Sequence, residues 1–456
     1  MASSRNATTR QYDHDSWGWV MVATAFTCLL VLYGNLKALG VLLIPMTNDL
    51  ASDLWLVGWV AVLYDIMHNC VGPVVGALSR LLGSRPMMVF GGLLTTLGFM
   101  LTSISSNVFA VAVFIVGLSG IGTACSTFIS LALTASYFKE KYPLANGLST
   151  MGGPIGMMAY GPVTQLLLGT YGWRGTMLLV GGISFHLVAC AMLVRLDPST
   201  SSPDNEQYQE VLVNDEDENQ SAGEGRDCTD DNTDNSKKSC CDPDHRQNRT
   251  GMCCRNIVKA IDMALLIDVR FVLLLCARCT VNFTYSAWVV YMVSHGQFQG
   301  LSEIQASFLP TAFGVGNVIG KLVLPLLQQI GIKPSMTFWA CFGAGIVGVS
   351  FLLDAFIRPF IGQLALTGFV GVGYGVVFQA LDVMVRFLVS DDRFVSVLGW
   401  QGMFAGIAGT LGGLISGWIY EWTGGFSIVL CVFAGVTLLS IPFFVTEALY
   451  AKRKKL

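Results

Sequence analysis

Charge is what this sequence is shortest of. Asp, Glu, Lys and Arg make up 12% of its 456 residues, against about 25% in soluble domains. That scarcity excludes an ordinary water-facing globule. Also missing are a Walker-type phosphate loop, a nucleophile elbow and clustered metal ligands, so nothing points to an enzyme, a cofactor or ATP-driven transport. The net charge of −3 does not suggest a nucleic-acid partner, because the acid is concentrated between about Pro198 and Arg255. Outside that stretch the chain is neutral to basic.

Apolar residues fill the space that charge leaves, at 53%. A helix needs about 20 apolar residues to cross the hydrocarbon core of a bilayer. Twelve runs qualify, at roughly 17–44, 54–79, 86–105, 108–136, 143–169, 174–195, 270–294, 304–330, 334–354, 358–388, 394–421 and 424–447. The first is too long for a signal h-region, so no cleavable leader is expected. Of the 13 cysteines, those inside apolar runs read as small hydrophobes. Cys228, Cys240, Cys241, Cys253 and Cys254 lie in the acidic stretch and read as unmodified thiols, with S-acylation of the last two as the alternative.

Cation placement orients the spans. With the N-terminus in the cytoplasm, the inner connections hold Arg80, Arg85, Lys139, Lys141, Lys333 and Arg393, and the C-terminal tail is basic. The outer ones hold Arg174 and Arg358. Both termini are therefore expected inside. The chain reads as a cytoplasmic tail (1–16), a six-helix bundle (17–195), a disordered acidic cytoplasmic loop (196–269), a second six-helix bundle (270–447) and a basic cytoplasmic tail (448–456). The loop's polar, aromatic-poor composition is that of disorder. Its end, 255–268, can form an interfacial amphipathic helix.

The halves repeat. An ungapped shift of 252 places Lys141 on Arg393, Gly147 on Gly399, Gly161 on Gly413 and Gly172 on Gly424. Two parallel six-helix halves imply an all-α membrane protein of major-facilitator type, with substrate bound at the midplane between them.

Specific motifs carry a closer resemblance. Asp15-Ser16-Trp17-Gly18-Trp19 is similar to the first signature of the monocarboxylate transporter family. Tyr137-Phe138 followed by Pro143-Leu144-Ala145-Asn146-Gly147 resembles its second, at the start of span 5. Tyr171-Gly172-Trp173-Arg174-Gly175 resembles the family's turn before span 6. The resemblance covers essentially all spans and identifies the chain as a divergent member. It implies transport or symport of a small organic solute by alternating access, most simply an anionic or zwitterionic carboxylate. Amino acids, thyroid hormones and creatine-like solutes are alternatives. It also implies a plasma-membrane location and, for some members, a single-span immunoglobulin-type chaperone. A receptor or scaffold that keeps the fold without transporting is the alternative of a different class.

Charges inside spans are costly and ask for a partner or a task. Lys37 falls where the family keeps a substrate-carboxylate lysine, or else snorkels to the outer interface. Asn317 and Lys321 align with the Asp and Arg of the family's span 8. Asn317 cannot take up a proton, which puts the family's usual coupling in doubt. Asp382 and Arg386 are spaced to pair along span 10 and form a candidate gate, or a self-neutralised structural pair. Arg278 has no acid within four residues on its own helix and must find one elsewhere, or a bound anion. Asp65 and His68, three apart on span 2, and Asp382 are the candidates for handling a proton. Tyr374 and Phe378 are candidate cavity aromatics. His186 reads as a packed neutral residue, and Asp354 and Glu447 as span ends that need no account.

Overall fold

The computed structural model describes residues 13, 16–50, 54–195, 263–332 and 335–453. The chain divides into two compact units. Tyr12–Val194 with Lys259–Leu456 holds every helix below, and of Met1–Gln11 with Arg195–Val258 only Arg195 is described. Asp15, the acidic stretch, Lys333 and the last three residues lie outside the described residues.

Among the described residues ten helices are long and apolar enough to cross a membrane, eleven when one bent pair is taken as a span, and dividing Tyr142–Met192 at Gly172 gives twelve spans near the boundaries that hydropathy sets. They are α1 (Trp17–Asp49), α2 (Leu54–Cys70, continued by Gly72–Leu82), α3 (Ser84–Ser103) and α4 (Val108–Tyr137). α5 (142–171) and α6 (173–192) share one apolar stretch, Tyr142–Met192, broken at Gly172. The second half comprises α7 (Val269–Phe298), α8 (Glu303–Gln329), α9 (Met336–Asp354), α10 (Phe360–Leu388), α11 (Asp391–Thr423) and α12 (Phe426–Arg453). α2 bends by 48° at its break, immediately before Pro73, which has no N–H to continue the ladder. Of the expected interfacial helix, the described part, Met263–Ile267, is a single short 3₁₀ turn.

Backbone geometry bears out the repeat. Gly172 and Gly424 both have φ of +67°, with ψ of 179° and 18°, positive-φ conformations that glycine adopts without steric cost. Each ends the fifth helix of its half. Gly147 on α5 lies against Lys321 on α8, and its counterpart Gly399 on α11 lies against Gly72 on α2. In each half the fifth helix thus meets the second helix of the other half at the same glycine.

α4 is irregular. Residues Val113–Gly120 form a π-helical segment, a wide turn that the apolar run gave no sign of. Ser119 there donates to the Thr95 carbonyl of α3 at 3.2 Å.

The two signature regions touch each other. Asp13 has φ of +64°, uncommon outside glycine but accessible to Asp. Its carboxylate accepts from the backbone amides of Glu140 at 2.9 Å, Lys141 at 3.2 Å and Lys139 at 3.3 Å. Its own amide donates to the Tyr137 carbonyl at 3.1 Å. Successive amides around one anion make a backbone nest. Trp19 packs on Phe138 with ring centroids 5.0 Å apart, and Gly18 leaves room for the same ring. Leu144, Ala145 and Gly147 continue this region as the first turns of α5.

Two residues read as unremarkable span ends are instead buried carboxylates set against α7. Glu447 on α12 accepts from Arg270 Nε on α7 at 2.8 Å, and Asp354 on α9 lies 3.0 Å from His295 Nε2 on α7. Both carboxylates point inward because helix rotation, which hydropathy along one span does not report, turns them toward α7. His186 departs the other way: it is exposed rather than packed, with Nδ1 2.9 Å from the Ile183 carbonyl.

Replacing Asp13 with Ala leaves three amides without their acceptor. Losing about 1.5 kcal/mol of charge-assisted bonding raises hydrogen exchange at residues 139–141 by roughly tenfold, read by mass spectrometry on the detergent-purified protein. Unchanged exchange there refutes the latch.

Candidate functional site

The deep charges converge where the halves meet. Arg278 on α7 donates from Nη1 to Asp382 Oδ1 on α10 at 2.7 Å. This supplies the cross-helix acid that Arg278 required. It also corrects the expected pairing along α10: Arg386 instead donates to the Ala135 carbonyl of α4 at 2.7 and 3.2 Å. A shared helix face permits an i,i+4 pair, but the neighbouring helices offer both residues better-placed partners.

Asp382 is also held from the other half. Its Oδ2 accepts from Asn146 Nδ2 on α5 at 3.3 Å, and the same amide donates to Gln379 Oε1 at 3.1 Å. Gln379 returns a bond to the Pro143 carbonyl at 2.6 Å. Pro143 sits in the first turn of α5, so its carbonyl is fixed where α10 passes. Asn146 from the second signature therefore joins the halves.

Further bonds close the same end. Lys321 on α8 donates to the Thr150 carbonyl of α5 at 2.7 Å. Arg80 on α2 donates to Ser396 Oγ on α11 at 2.7 Å. Between them α2 and α11 nearly touch: a Cβ on Gly72 would stand 2.8 Å from Gly399 Cα. These side-chain hydrogen bonds between the halves all lie toward the end of the bundle that carries the termini. The structure is a state closed at that end.

Inward of this closure lies an aromatic wall. Phe378 stacks under the Arg278 guanidinium at 4.9 Å, and Tyr285 meets Phe378 edge-on at 5.1 Å. Tyr33 on α1 is within electrostatic reach of Asp65, Arg278 and Asp382. Lys37 is one turn beyond Tyr33, exposed, alongside Gly161, and has no hydrogen bond or ion pair among the described residues. It faces the space between the helices rather than the Arg278–Asp382 pair.

Other candidates are placed differently. Tyr374 is fully buried, its hydroxyl donating to Thr284 Oγ1 at 2.8 Å, so it supports the wall from behind. Asn317 is buried where α8 crosses the glycines of α10, with Nδ2 lacking a partner among the described residues. His68 is buried and stacked on Phe128 at 5.2 Å. No hydrogen bond joins it to Asp65 among the described residues. Tyr33 and Gln379 were not singled out in the sequence, and Tyr285 reads there as helix packing, with a place in a cavity wall as the alternative. Aromatics and amides are common in spans, and only tertiary packing distinguishes these three.

Comparison with known proteins follows this geometry. The family model for the Major Facilitator Superfamily matches residues 25–362 and 273–455, and the chain belongs to that superfamily. It is a multi-pass membrane transporter, not an enzyme. Among its relatives, human monocarboxylate transporter 2 is 24% identical over 96% of this chain and 88% of its own length. Monocarboxylate transporter 13 of Rattus norvegicus is 26% identical over 93% and 87%. Human monocarboxylate transporter 14 is 26% identical over 91% and 88%. These bear out the resemblance carried by the two signatures. The E. coli fucose:proton symporter has the same fold, with a TM-score of 0.64 at 14% identity over 94% of this chain and 99% of its own. A proton:xylose symporter does too, with a TM-score of 0.71 at 11% identity over 94% and 96%.

Two outcomes test this geometry. Arg278→Ala leaves Asp382 without its cation and costs about 3 kcal/mol, whereas adding Asp382→Ala recovers at least about 1 kcal/mol. Thermal melting of purified variants measures both, and a strictly additive double variant means that the pair is not coupled. Gly399→Val drives a side chain into α2 and shifts the protein toward the state open at the termini end. A cysteine introduced at Ser396 then becomes more reactive to a polar maleimide, and unchanged labelling contradicts this.

Proposed function

We propose that the chain carries a small carboxylate-bearing solute across the plasma membrane by alternating access, with Arg278 as the carboxylate receptor. The observation that carries this reading is the Arg278–Asp382 pair at 2.7 Å, whose second carboxylate oxygen is tied to Asn146 of the other half. An incoming carboxylate is chemically equivalent to Asp382 and competes for the same guanidinium. The fork of Arg278 suits a carboxylate bidentately, and the wall of Phe378, Tyr285 and Tyr33 receives the apolar part. Lys37, unpaired on α1, raises the local anion concentration on the open side.

Displacement links binding to gating. Once a substrate takes Arg278, Asp382 needs a new cation, and Lys321 is within electrostatic reach of it. Lys321 holds the Thr150 carbonyl of α5, so drawing it toward Asp382 loosens a tie between the halves. The substrate thus favours opening of the closed end through its differential contacts with the two states. Cation placement supports a cytoplasmic location for both termini, which makes the closed end the cytoplasmic one. The names of the monocarboxylate relatives support the substrate class. The six-helix domains at 17–195 and 270–447, and an accessory single-span chaperone, belong to the same reading.

Uptake of labelled lactate, pyruvate, amino acids and creatine into proteoliposomes tests it. At least one carboxylate shows saturable uptake. Arg278→Ala lowers it by more than about tenfold, matching the loss of a charged hydrogen bond of about 1.5–3 kcal/mol. Lys37→Ala raises the half-saturating concentration, most at low salt. A panel without saturable uptake overturns the proposal in favour of a non-transporting receptor.

A further inference from the structure

When a substrate carboxylate takes Arg278, charge has to balance across the whole site. The cations Arg278 and Lys321 then face two carboxylates, that of the substrate and that of Asp382. Asp65 is left over. It sits in the middle of α2, half-buried, with no cation paired to it among the described residues. The donor beside it is neutral: Asn69, one turn on, whose Nδ2 holds the Asp65 backbone carbonyl at 2.8 Å. Asn69 is itself set against Gly402 and Gly406 of α11. Lys37 lies alongside Gly161 of α5 and is not paired with Asp65 among the described residues.

A continuous wall joins Asp65 to Arg278. Tyr33 of α1 is within electrostatic reach of Asp65, Arg278 and Asp382, and Tyr285 of α7 is within reach of Asp65 and Tyr33. Tyr285 meets Phe378 edge-on at 5.1 Å, and Phe378 carries the Arg278 guanidinium at 4.9 Å. Asp65, both tyrosines, Phe378 and Arg278 are all half-buried, so each keeps part of its surface open. The order along the wall is carboxylate, two phenols, phenyl ring, guanidinium. Opposite charges stand at its two ends, and no ion pair joins them among the described residues.

A dipolar solute matches such a wall. We infer that Asp65 seats a cationic group of the substrate while Arg278 holds its carboxylate, so that the carried solute is a zwitterion, an amino or guanidino acid; the inference rests on the carboxylate-carrier reading. A half-buried carboxylate without a counter-ion is costly, and an ammonium or guanidinium group seated on Asp65 removes that cost. The rings of Tyr33 and Tyr285 add the attraction of a π-system for a cation. A simple anion gains Arg278 but also meets the repulsion of Asp65. Because phenols intervene between the two ends, a solute whose charges stand several bonds apart suits the wall better than an α-amino acid. Asp382 does not compete for the cationic group, because its oxygens are engaged by Arg278 and Asn146.

Counterflow by the full chain in proteoliposomes, at equal pH on both sides, tests the inference with pairs that differ only in an ammonium against a hydroxyl. These are β-alanine against β-hydroxypropionate and γ-aminobutyrate against γ-hydroxybutyrate. In at least one pair the zwitterion half-saturates the wild type at less than about a tenth of the concentration that the hydroxy acid needs. Asp65→Asn keeps the size of the side chain and removes its charge. It raises the half-saturating concentration of the zwitterion by more than about tenfold and lowers that of the hydroxy acid, so the preference disappears, and its continued exchange of the hydroxy acid shows that it is folded. Asp65→Glu retains the preference. A wild type that favours the hydroxy acid in both pairs, or an Asp65→Asn variant that weakens both members equally, overturns the assignment. Absence of saturable counterflow for all four solutes defeats the carrier reading for them. Calorimetric titration of the detergent-purified protein with the two zwitterions then still decides the role of Asp65: binding that Asp65→Asn abolishes upholds it, and binding that is absent from the wild type or unaltered in the variant overturns it.

Discussion

The carboxylate of Asp382 is held by two residues with different allegiances. Arg278 belongs to its own half, and Asn146 belongs to the other. In a low-dielectric interior a charge cannot be left without partners, so whichever residue loses Asp382 must be compensated elsewhere. Gln379 ties the same amide to the Pro143 carbonyl, and Lys321 and Arg386 make parallel bonds to carbonyls of α5 and α4. At the closed end, cations and an amide from the second half thus rest on backbone of the first, while Asn146 and Arg80 of the first half donate to side chains of the second.

The glycines set the other half of this arrangement. Gly72 and Gly399 bring α2 and α11 into backbone contact, which no larger residue allows. Such a contact depends on shape and carries no charge, so its disruption leaves nothing unsolvated. Polar ties dominate the α5, α8 and α10 side, whereas the α2 and α11 side joins backbone contact at Gly72 and Gly399 to the Arg80–Ser396 bond. Exposed Lys37 and half-buried Asp65 lie further along the bundle.

Much of the fold was legible because its signals are local. Apolar length locates each span, and the glycine turns at Gly172 and Gly424 mark equivalent places in a duplicated chain. The need of Arg278 for a distant acid also followed from sequence, since the cost of a buried cation does not depend on the fold. Which acid it finds did not follow. Spacing allows Asp382 to reach Arg386, and only the rotation of α10 against α4 and α7 turns the two apart. Rotation likewise buries Asp354 and Glu447 and exposes His186. Among the described residues, the acid that docks on the α4–α5 connection is Asp13, two positions before the Asp15 of the motif.

The π-helical segment of α4 has a consequence for numbering. An α-helix advances about 100° per residue, and a π turn holds roughly one residue more than an α turn. Residues after Gly120 are therefore out of phase with a wheel drawn from Val108. Thr123, Phe128 and Ala135 have to be counted back from Tyr137 to predict which neighbour they meet. An alignment that forces α4 to match a continuous helix assigns its second half to the wrong face, even where every aligned residue is chemically similar.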